Sequence, residues 1–178
     1  MTSGAGPAPD TTDLRSGSPI HDSLLALLPL VGVWQGSGTG IVGSTGAEFA
    51  YGQRLTIAHD GRPFLAHESR TWLVDAAGEL VRQAFREAGF WRAGAGQDDV
   101  ELQLADAAGL VEIFAGTAHD NRWELETTLV AGTATARDVA GERRFYAVIG
   151  DSLFYATELA LQPEDFAPHL NARLERLR

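Results

Sequence analysis

Two features of this chain carry residue types that can do chemistry. One is His169, close to the C-terminal end; a neutral imidazole is the commonest metal ligand among side chains. The other is the stretch Gly32-Val-Trp34-Gln-Gly36-Ser-Gly38-Thr-Gly40, with glycine at every second position around one tryptophan. Alternate residues of a strand share a face, so these glycines leave a bare strip where another backbone or a flat ligand can come close. Trp34 adds a large apolar plug. The combination predicts a tightly curved antiparallel barrel that holds a planar cofactor.

The remaining chemistry-bearing residues are less telling. His21, His59 and His119 fall at a helix start or in turn signals and are expected to be solvated. His67 lies within a strand pattern, as a wall residue or as a group facing a ligand. Glu87 and Glu112 are of the type used for paired acid–base work, but their spacing does not bring them together. A buried salt bridge with Arg86 or another arginine is the alternative. No phosphate-binding loop, nucleophile elbow, zinc-protease helix or calcium loop occurs.

Composition narrows the field. The 178 residues suffice for one domain with a substantial core. Cysteine is absent, which removes disulfides, thiol nucleophiles and thiolate metal sites. Lysine is absent too: all 14 basic residues are arginine, so Schiff-base chemistry is excluded. A net charge of -10 with no basic cluster argues against nucleic acid and anionic membranes as partners. There is no long apolar run and no secretory leader pattern, so a cytosolic address is expected.

These residues must be positioned by a scaffold, and the scaffold reads as strands. Residues 1–19 are rich in Gly, Pro, Ser and Thr and are expected to be a disordered tail, with the folded domain spanning 20–178. Leucines at 24, 25, 27 and 28 predict a short helix ended by Pro29, suited to close a barrel mouth. From Val31 onward, short β-branched and aromatic segments alternate with turn signals, among them Asp60-Gly61, Asp75 to Gly78, Asp106 to Gly109 and His119 to Asn121. Segments such as 100–104 and 123–126 alternate apolar with polar, and 133–139 also reads as a strand. About ten strands joined by hairpins predict an all-β, up-and-down antiparallel barrel. Pro168, followed by Leu170, Leu174 and Leu177 at helical spacing, predicts a C-terminal helix carrying His169 in its first turn.

With those residues in view, the chain resembles the nitrobindin family over roughly residues 22–177. The points of contact are Leu27 through Gly40, Ala58 through Leu65, Arg86 through Arg92, Gly109 through Gly116, Asp151 through Ala160, and Pro168-His169-Leu170-Asn-Ala172-Arg-Leu174. The resemblance implies a ten-stranded barrel, similar to the fatty-acid-binding proteins, that holds haem b with His169 as axial iron ligand. It further implies isomerisation of peroxynitrite to nitrate, with nitric oxide as a second small ligand. A homodimer is left open.

The family's glycine motif runs on into Tyr-Pro-Thr-Ile beside the haem. Here the chain reads Ile41-Val-Gly-Ser44-Thr45, with Ser44 or Thr45 at the place of the family's threonine. Arg137 matches a basic family residue at the haem edge and is of the type to pair with a propionate. Trp34, Gly36, Gly38 and Gly40 complete the expected cofactor-binding set. The altered 41–46 segment also leaves room for a haem-free carrier of a small hydrophobic ligand.

Overall fold

From Gly32 to Leu177 the chain winds through ten antiparallel strands that close into a barrel, entered through a 3-10 helix at Asp22–Leu30. The computed structural model describes residues 6, 8–43, 45–161 and 165–177. The strands are β1 (Gly32–Val42), β2 (Ala47–Ala58), β3 (Leu65–Val74), β4 (Leu80–Ala93), β5 (Asp99–Asp106), β6 (Leu110–His119), β7 (Arg122–Gly132), β8 (Val139–Ile149), β9 (Ser152–Leu161) and β10 (Ala167–Leu177). Each pairs with its sequence neighbours, and β1 pairs with β10 to complete the wall. Closure leaves no strand at a free edge of the sheet, although β7 and β8 pair over only part of their length. Tight turns follow the expected signals; Asp120 and Asn121 sit at φ of 49° and 60°, the left-handed pair that a two-residue hairpin needs.

Two expected elements are corrected. The C-terminal segment is not a helix but β10, and His169 therefore lies on the barrel wall. Leu170, Ala172 and Leu174 share one face of this strand, with Asn171, Arg173 and Glu175 exposed between them. The outer N–H and C=O groups of β1 can be satisfied only by an extended partner, which overrides the helical leucine spacing. The second correction is 133–139: residues 133–138 form a turn, and β8 begins at Val139. β7 and β8 pair only from Arg122 with Ala147 to Glu126 with Arg143, and beyond that they part.

The 3-10 helix closes one mouth as expected. Leu24, Leu27 and Leu30 recur every third residue, eclipse on one face and are buried. Pro29 stays within the helix. The indoles of Trp123 and Trp34 donate to the carbonyl groups of Ala26 (3.1 Å) and Leu30 (2.8 Å), which pins the plug to the wall. Residues 1–5 and 7 of the expected tail lie outside the described residues; Thr11 makes a backbone bridge with His59. That bridge comes with a further correction, because His59 is buried, not solvated. Among the described residues no helix is long and apolar enough to cross a membrane.

Inside, the strands build three layers in register. Next to the helix lie Trp34, Leu55, Leu65, Trp91, Phe114 and Leu153, all fully buried. Two to four residues further along these strands come Gln53, Ser69, Glu87, Glu112 and Thr157, joined by Arg144 of β8 in a polar layer that is also buried. Beyond it, at the opposite mouth, Phe49, Leu73, Phe85, Leu161 and Leu170 surround an apolar cavity.

Candidate functional site

The mouth opposite the helix holds a cavity of about 560 Å³, within the range of about 300–1,000 Å³ typical of small-molecule and cofactor sites. Its wall is mostly apolar, from Val42, Phe49, Leu73, Phe85, Leu161 and Leu170. Three basic side chains interrupt it: His169, Arg137 and Arg82. Both arginines are exposed at the rim, Arg137 carried there by the 133–138 turn. A groove of about 580 Å³ on β6–β9 carries Arg143 between Glu126 and Glu158. Those charges already satisfy one another, and no imidazole lines the groove.

His169 owes its aim to an irregularity in β10. The pairing with β9 runs from Pro168 opposite Glu158 straight to Leu170 opposite Thr157, so His169 is the extra residue of a bulge. Bulges redirect a side chain that regular pleating would place elsewhere. The imidazole is half-buried, and its Nδ1 lies 3.0 Å from the carbonyl oxygen of Ile41 on β1. A carbonyl only accepts, so Nδ1 carries the proton and donates it, which leaves the Nε2 lone pair unclaimed. This is how a second partner fixes the tautomer of a metal-binding histidine. Burial lowers the His169 pKa below its ordinary value, and Arg137 and Arg144 act in the same direction against the Ile41 bond. That shift favours the neutral ring at pH 7, the state in which an imidazole can ligate a metal. Two residues on, the Tyr51 hydroxyl donates to the Asn171 carbonyl at 3.0 Å and holds the strand.

The expected site residues divide into two groups. His169 and Arg137 line the same cavity. The glycines do not; they let β1 and β10 coil closely. A Cβ on Gly36 would meet the Arg173 carbonyl, and one on Gly38 would meet the Asn171 carbonyl and the Tyr51 ring. At Gly40 it would meet Phe49 and Leu170, so that glycine gives two cavity side chains their places. Trp34 belongs to the apolar layer at the far end, with the Arg176 guanidinium 3.9 Å over its ring. Thr45 is in the β1–β2 turn, where its hydroxyl accepts from the Ala47 N–H at 3.3 Å. Ser44 lies outside the described residues.

Behind the cavity, the polar layer encloses a chamber of about 40 Å³ that His169 also lines. Its centre is Arg144, which grips Glu87 through two 2.8 Å bonds and reaches Glu142 at 3.2 Å. Burial by itself would raise the Glu87 carboxyl, but Arg144 and the hydrogen bond from His67 outweigh it and hold it well below the usual carboxylate range. His67 is a fixed wall residue. The Trp91 indole donates to its Nδ1 at 3.1 Å, so Nε2 carries the proton toward Glu87 at 3.3 Å. Arg86, the arginine next to Glu87 in sequence, instead pairs outside with Glu68. Nothing in the sequence singled out Arg82, Arg144 or Glu142; cross-strand register alone brings them to the site.

A model of the THAP4-like, heme-binding beta-barrel domain matches residues 23–176. The chain belongs to this heme-binding barrel family. Among relatives of the barrel, "Peroxynitrite isomerase 2" of Rhodococcus jostii (strain RHA1) is 42% identical over 176 residues, covering 94% of this chain and 82% of that protein. "Ferric nitrobindin-like protein" of Nocardia farcinica (strain IFM 10152) is 40% identical over 171 residues, covering 94% and 72%. The crystal structure of Rv2717c from M. tuberculosis superimposes with a TM-score of 0.78 at 32% identity, covering 89% of this chain and 99% of that one. The residues present suit the group named by the family model: an apolar slot, one imidazole whose Nδ1 is already bonded, and two cationic side chains at the rim.

Proposed function

We propose that this barrel holds haem b through His169 and converts peroxynitrite to nitrate, with nitric oxide as a second ligand. The observation that carries the reading is the bulged His169, its Nδ1–H spent on Ile41 and its Nε2 left to bind iron beside the cavity. When bound, the haem would supply a ferric centre, a Lewis acid for an anionic nitrogen oxide. The chain supplies the rest. Ile41 holds the imidazole in one tautomer, so the ligand atom needs no reorientation on loading. Phe49, Leu73, Phe85 and Leu161 offer an apolar surface that excludes water from the macrocycle. Arg82 and Arg137, exposed at the rim, would take the propionate carboxylates, and as cations they offset at the mouth the repulsion that a net charge of -10 imposes on an anion. The relatives' printed names support the choice of substrate.

Haemin titration of the purified chain tests the reading. One equivalent should produce a Soret band, His169→Ala should abolish or strongly shift it, and the loaded wild-type protein should accelerate peroxynitrite decay to nitrate in rapid mixing. A chain that takes up no haemin but binds a fatty acid would overturn the proposal in favour of an apolar carrier.

A further inference from the structure

In the middle layer of the barrel one cation faces three buried carboxyl groups. Arg144 on β8 is doubly bonded to Glu87 of β4 and reaches Glu142 from its own strand. Glu112 of β6 lines the same chamber at 5% exposure, and its Oε1 finds no hydrogen-bond partner among the described residues. Gln53 Oε1 of β2 is orphaned in the same way.

Among the described residues no other arginine is buried. His67 of β3 accepts from the Trp91 indole at Nδ1, so its one N–H points at Glu87, and burial holds His169 of β10 below the ordinary imidazole value. Burial keeps the phenols of Tyr51 on β2, Tyr146 on β8 and Tyr155 on β9 protonated. Asp106 Oδ1 of β5 accepts from the N–H groups of Ala108 and Leu110, and Arg137 lines the chamber from its exposed side, where it opposes the rise of Glu112 without being buried itself. A guanidinium neutralises one carboxylate, and Glu87, with both oxygens on it, is that partner. A buried carboxylate left uncompensated takes a proton instead.

We propose that Glu112 and Glu142 form a proton-holding pair that keeps the chamber behind the His169 cavity free of net negative charge, so that the cavity admits an anionic ligand while the pair is protonated and rejects it once the pair ionises. Both carboxyls titrate in the required direction. Burial raises Glu142, with Glu112 and Glu87 adding to it against Arg144, to about 8. Burial likewise raises Glu112, opposed by Arg144 and reinforced by Glu87 and Asp106.

The anion clause rests on the haem reading; the proton pair does not, and two measurements separate them. Infrared spectra of the haem-free protein near neutral pH should show protonated carboxyl bands, one lost in Glu142→Gln and another in Glu112→Gln. Finding both groups ionised there would overturn the proposal. In haemin-loaded protein, fluoride affinity should fall about tenfold more between about pH 6.5 and about pH 9 in the wild type than in Glu142→Gln. An identical fall in both proteins would overturn the anion clause. Failure to load haemin would refute the haem reading and the anion clause together, with the infrared bands still deciding the pair.

Discussion

Replacing Glu142 by Gln should make this protein more stable at neutral pH, contrary to the usual effect of removing a buried, hydrogen-bonded acid. The amide keeps the size of the protonated carboxyl, and its oxygen still accepts from Arg144. What it loses is the ability to ionise. In the unfolded chain the Glu142 carboxyl titrates at its ordinary 4.5; in the barrel, burial with Glu112 and Glu87 raises it to about 8. Between those values the native state binds a proton that the unfolded chain has released, so stability falls as pH rises. Its contribution is intact below the unfolded value and fully lost above the folded one. Each pH unit within that window is worth about 1.4 kcal/mol. From about pH 5.5 to about pH 7.5 the wild type should therefore lose roughly 3 kcal/mol relative to Glu142→Gln. Urea unfolding of the two haem-free proteins across that range measures the difference directly. Parallel stability profiles would refute the reasoning, because they would mean that Glu142 is as ionised in the barrel as in the open chain.

Other outcomes follow from the same geometry. Neutralising Arg82 or Arg137 singly should weaken haemin retention only a fewfold, since exposed ion pairs contribute about 0.2–1 kcal/mol each, and the double variant should approach tenfold; transfer of haemin to an acceptor protein reads the rates. Trp34→Ala empties a fully buried site next to the 3-10 helix and should cost about 3–5 kcal/mol in urea unfolding. Gly38→Val pushes a side chain into the Asn171 carbonyl and the Tyr51 ring, which should open the β1–β10 seam. That damage should appear as lost haemin binding with His169 still present, and unchanged binding would show that the seam does not set the ligand's position.

The barrel class was legible from hairpin signals and alternation, because turn residues and a two-residue period act locally. His169 and Arg137 were singled out by residue type and family resemblance, and the fold brings both to one cavity. The helix expected at the C-terminus was not forthcoming, because Leu170 and Leu174 fit either period and only the unpaired flank of β1 decides between them. Likewise 133–138 has strand-forming residues but no partner to pair with, since β7 and β8 diverge there. The glycine motif reads as a strip for another backbone or a flat ligand; in the fold it admits the backbone of β10, and the cavity lies beyond it.

By itself the sequence determined the chemistry available: no thiol, no lysine amine, one imidazole near the end of a strand-rich chain. Only the closed wall decided how those groups are used. A bulge turns His169 toward the cavity, and the register of β4, β6 and β8 gathers Glu87, Glu112, Glu142 and Arg144 from positions up to 57 residues apart. Long-range pairing of this kind depends on which strands meet, a property of the whole barrel that no local run of residues encodes.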